Sequence, residues 1–97
     1  MKVLENAVMP DGTKIQLEEW HENYDFMPYA DGIAAYPVSK ANHKGSFSPK
    51  YGERYRAGFH FDSTDLAREA FYNLKSGNAV LKDYAKYLWC PEYADCL

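Results

Sequence analysis

The feature that most constrains this chain is a change of hydrophobic period around residues 62–65. In residues 53–61, Tyr55, Ala57, Phe59 and Phe61 alternate with Arg54, Arg56, Gly58 and His60, so a strand is expected whose apolar face must meet a core. Directly after it, Asp62-Ser63-Thr64-Asp65 offers side-chain oxygens to the unbonded N–H groups of a helix start, and negative charge to its dipole. Leu66, Ala67, Ala70, Phe71 and Leu74 then recur at helical spacing, which predicts a helix over 64–76 with an apolar stripe. Gly77 or Asn78 serves as its left-handed stop.

Upstream, Met9-Pro10-Asp11-Gly12-Thr13 carries turn chemistry, because proline presets φ and glycine accepts a positive φ. The flanking residues 2–8 and 14–20 therefore read as a β-hairpin. Residues 32–38 read as a short strand, and Pro37, which cannot donate to a ladder, suggests an edge or a strand end. A second helix is expected over 80–89, with Leu81, Tyr84, Ala85 and Leu88 on one side and Pro91 blocking its continuation. Residues 39–52 form a long polar loop and 92–97 a frayed tail. Strands followed by helices imply an α+β fold: an antiparallel sheet of three to four strands with two C-terminal helices packed on one face. The chain has 97 residues, enough for one core, so 1–97 is expected to be a single domain.

No apolar run approaches the length of a membrane span, and the start lacks the apolar stretch of a signal peptide, so a cytoplasmic location is expected. Cys90 and Cys96 would close only a short terminal loop, and free thiols are expected. No paired Cys or His spacing points to a metal, and no cofactor is expected.

Charge is segregated along the chain. Residues 1–38 hold two basic and seven acidic groups, residues 39–61 five and one, and residues 62–97 four and six. Two candidate surfaces follow. In the first, Glu18, Glu19, Glu22, Asp25 and Asp31 are interleaved with Trp20, Tyr24, Phe26 and Tyr29, an acidic and aromatic stretch suited to docking on a protein partner. The acids would steer the encounter and the rings would anchor it. In the second, Lys40, Lys44, Lys50, Arg54 and Arg56 alternate with aromatics that include Tyr51, as a groove for single-stranded nucleic acid would require. The net charge of −3 opposes long-range attraction to a polyanion. Against both stands the plain reading that charged loops are solvated and their rings turn inward. The chain contains nine tyrosines, residues that suit recognition surfaces and half-buried sheet edges alike, and they leave a homodimer open as well.

No nucleophile elbow, phosphate-binding loop, dinucleotide fingerprint or paired-histidine metal motif occurs, so an enzyme is not the expectation. A weaker alternative is a small enzyme or small-molecule binder with a pocket beside the sheet and His60 on the polar face of its strand.

The stretch Phe61-Asp62-Ser63-Thr64-Asp65-Leu66, with Phe71-Tyr72-Asn73-Leu74, resembles a strand-to-helix junction in small phage-encoded anti-CRISPR proteins of the type I-F inhibitors. The opening hairpin, with Ile15-Gln16-Leu17-Glu18-Glu19-Trp20, is similar to small proteins carried on bacterial mobile elements. The resemblance implies a non-enzymatic accessory or inhibitor that binds a bacterial defence component and blocks its surface. It assigns no contact residue here.

Overall fold

The computed structural model describes residues 2–20, 30–36 and 57–89. The chain runs through β1 (Lys2–Val8), β2 (Lys14–Glu19), β3 (Gly32–Tyr36), β4 (Ala57–His60), α1 (Thr64–Ser76) and a 3-10 helix (Leu81–Tyr87). The strands form one antiparallel sheet in the order β1-β2-β3-β4, so the fold is α+β with its helices toward the C-terminus, as expected.

The hairpin between β1 and β2 closes through Met9 N–H to Thr13 O at 2.8 Å and Gly12 N–H to Met9 O at 2.9 Å. Asp11 Oδ1 accepts from Thr13 N–H, and Gly12 takes φ 91°, the left-handed value that suits glycine. In β1, Val3 pairs with Glu18 but Glu5 pairs with Leu17, which leaves Leu4 as the extra residue of a bulge. A regular strand would send Leu4 and Ala7 to opposite faces; across the bulge both pack against the core.

One sheet face is apolar. Ile15 and Leu17 on β2 stand opposite Ala35 and Ile33 on β3, and these stand opposite Ala57 and Phe59 on β4. All six are buried, and Ala67, Ala70, Phe71 and Leu74 of α1 close over them. Leu66, which the helical spacing places in the same stripe, lies at its margin and is exposed. The helix starts where expected, with Ser63 Oγ accepting from Leu66 N–H. It ends in the paired bonds Asn78 N–H to Asn73 O and Gly77 N–H to Leu74 O, with Gly77 at φ 84°.

Of the two readings that Pro37 allowed, the strand end holds and the edge does not: β3 lies between β2 and β4 and ends at Tyr36, the residue before Pro37. The second helix is present over Leu81–Tyr87 as a 3-10 helix broken at Tyr84 (φ −111°, ψ 19°). Phe61 meets the rings of Tyr84, at the break, and of Tyr87, beyond it, at 6.0 and 4.6 Å. The helix then stops, because Leu88 pairs with Phe59 as a bridge and Trp89 N–H bonds Gly58 O at 2.7 Å.

The loop expected at 39–52, the tail at 92–97 and both cysteines lie outside the described residues. No helix among the described residues is long and apolar enough to cross a membrane.

Candidate functional site

The face of the sheet away from α1 is built differently. Antiparallel pairing places Glu18, Gly32 and His60 at one level across β2, β3 and β4. Glycine at the centre matters, because a Cβ there would collide with the Trp20 indole. The Trp20 indole thus lies directly on Gly32, between the glutamate and the histidine.

Four bonds hold this arrangement. Trp20 Nε1–H donates to Glu18 Oε1 at 2.7 Å, and Trp20 N–H donates to Asp31 Oδ1 at 2.7 Å. The main chain of Asp31 is fixed from both sides, by Asp31 N–H to Glu18 O at 3.2 Å and by Phe61 N–H to Asp31 O at 2.7 Å. Asp31 Oδ2 lies 3.4 Å from His60 Nε2, an electrostatic contact longer than a good hydrogen bond. Glu18 and Asp31 are both buried, so their bonds do more than decorate a surface: an unbonded buried carboxylate would be costly.

Trp89 completes the cluster from the C-terminal side. Its ring stands edge-on to Trp20 at 5.7 Å and to His60 at 5.8 Å, while Trp20 and His60 are 5.7 Å apart. The indole is held on one side by these rings and by its own backbone bond to Gly58, yet remains 65% exposed. Beside it opens a cavity of about 450 Å³ lined by His60, Asp62, Lys86, Tyr87, Leu88 and Trp89. Lys86 Nζ lies 5.1 Å from the centroid of the Tyr87 ring.

The sequence-predicted site residues divide accordingly. Glu18 and Glu19 are buried, not solvated, and Trp20 is half-buried. Glu22, Tyr24, Asp25, Phe26 and Tyr29 lie outside the described residues, as do Lys40, Lys44, Lys50, Tyr51, Arg54 and Arg56 of the nucleic-acid alternative. His60 does stand beside a pocket at the sheet, next to Trp20. Sequence reasoning passed over Trp89 as a site residue and took Asp31 only as the last acid of the acidic and aromatic stretch. The signal for Trp89 was present: it is a large ring at a helix end, outside the expected stripe of Leu81, Tyr84, Ala85 and Leu88. For Asp31 no local signal distinguishes it from other loop acids.

An imidazole backed by a buried carboxylate is an arrangement that general-base catalysis uses. The described residues lining the cavity include no Ser, Thr or Cys to serve as a nucleophile. Among the described residues no group of three or more His, Cys, Asp or Glu is placed to hold a metal ion. The described residues form an aromatic cluster beside a charged depression. Compared with protein-family models, with characterised proteins and with solved structures, the chain matches none of them.

Proposed function

We propose that this chain is a non-enzymatic protein-binding accessory or inhibitor, of the anti-defence kind its resemblance implies, which acts by covering a surface of its partner. The observation that carries this reading is Trp89, an indole 65% exposed but fixed in orientation by Trp20, His60 and the backbone of Gly58. A large ring held rigid before binding loses little conformational entropy on contact, and tryptophan is enriched among the residues that dominate protein interfaces. The neighbouring cavity supplies a mixed polar margin. In this reading Trp20, expected from the sequence to be an anchor itself, supports the anchor: its ring rests on Gly32 and its N–H groups are spent on Glu18 and Asp31.

The test is retention of partner proteins from lysate of the source cells by the tagged chain and by its Trp89→Ala variant, washed at high salt. The variant should keep its circular dichroism spectrum, because an exposed ring contributes little to folding. It should lose retained partner by about tenfold or more. Equal retention by both proteins would remove Trp89 from the interface and with it this reading.

A further inference from the structure

The regions of the described structure that could meet a ligand include the outer edge of β1, the exposed side of α1 around Leu66 and Tyr72, and the cavity beside Trp89. The edge of β1 carries a bulge at Leu4 and charges at Lys2 and Glu5, devices that discourage strand addition, and nothing specifies an occupant for the α1 side. The cavity does specify one.

Its walls combine the exposed indole of Trp89, the ring of Tyr87 and the carboxylate of exposed Asp62. Aromatic faces carry partial negative charge and attract cations, and the cavity contains its own demonstration: Lys86 lays its ammonium 5.1 Å from the Tyr87 centroid. An anion would gain Lys86 and His60 but would face Asp62 and two ring systems. A purely apolar group would strip water from Asp62 and Lys86 and offer nothing in return. A planar cation can use the rings and Asp62 together, against the charge of Lys86, since guanidinium stacks on an indole face while its N–H edge reaches a carboxylate.

Building on the protein-binding reading, we propose that this cavity receives an arginine side chain of the partner, stacked on Trp89 and paired with Asp62. Lys86 then acts as a resident competitor. It repels the incoming cation and occupies part of the same aromatic wall, so the two charged residues of the rim affect binding in opposite directions.

Only two tryptophans are present, so the indole N–H resonances give a direct readout, with Trp89→Phe assigning the signal of Trp89. N-acetyl-arginine amide titrated into the intact chain should shift the Trp89 signal along a saturable curve. N-acetyl-glutamate amide should not. Asp62→Asn should weaken the arginine probe about threefold or more, and Lys86→Ala should tighten it about twofold. No saturable shift with the arginine probe, or the reverse order of the two variants, overturns the assignment. The two levels separate cleanly. Loss of partner retention in Trp89→Ala without arginine binding would leave the protein-binding reading standing and sink this inference. Arginine binding with retention unchanged in Trp89→Ala would leave the cavity an arginine site but remove Trp89 from the interface, and with it the assignment of that arginine to the partner.

Discussion

The two faces of the same four-stranded sheet are held by different physics. Toward α1, the paired rows Ile15, Ala35, Ala57 and Leu17, Ile33, Phe59 are apolar at both levels, and the helix closes over them with Ala67, Ala70, Phe71 and Leu74. Away from α1, one level of the ladder reads Glu18, Gly32, His60, and Trp20 is laid across it. The first face depends on volume and burial, which are non-directional and shared among many side chains. The second depends on individual bonds and on one absent Cβ. Damage to the first should therefore scale with atoms removed, and damage to the second with whether a specific contact survives.

The largest expected effect lies on the apolar face. Phe59→Ala removes a fully buried ring from the centre of the core and should cost about 3–5 kcal/mol in urea denaturation. That is a large share of the roughly 5–15 kcal/mol that holds a typical domain folded. A cost below about 1 kcal/mol would mean that Phe59 does not contribute to the core as its burial implies.

An intermediate effect is expected on the polar face, where it tests the contrast most directly. Gly32→Ala drives a methyl group into Trp20, so the indole must leave Glu18 or the strand must shift, at a cost of about 1–3 kcal/mol with a change in tryptophan emission. Repeated in a Trp20→Ala background, the same substitution should cost much less, because the obstacle is gone. Equal costs in both backgrounds would show that the glycine serves the backbone and not the indole.

The smallest effect belongs to neither face. Ser63→Ala removes the cap of α1, the bond from Leu66 N–H to Ser63 Oγ at 3.2 Å, and should cost about 1 kcal/mol by the same measurement. A larger loss would mean that the helix start is coupled to the Ala30 N–H to Thr64 Oγ1 contact beside it and so to the site.

Much of the fold was legible because it is written in short-range patterns. Pro10, Asp11 and Gly12 announce their turn, Ser63 and Gly77 bracket α1, and the alternation of Ala57, Phe59 and Phe61 marks a buried strand face. The second helical segment was legible as an element but not as a type. Its 3-10 geometry follows from Phe61 receiving Tyr84 and Tyr87 together and from Leu88 joining β4, and these partners lie outside the segment itself. Glu18 was open to misreading for a related reason. In sequence it belongs to a run of acids beside aromatics, whereas in the structure it is buried and accepts the indole N–H of Trp20.

The sequence by itself determined the α+β class, the hairpin turn, and the start and end of the principal helix, since each depends on φ preferences, caps and periodicity within a few residues. Only the tertiary structure decided that the end of β2, the residue before β3, the last residue of β4 and the residue after Leu88 should meet in one cluster. Side-chain burial and encounter are set by strand register and by how the chain returns to the sheet edge. Those are properties of contacts between segments far apart in the chain, and no local pattern records them.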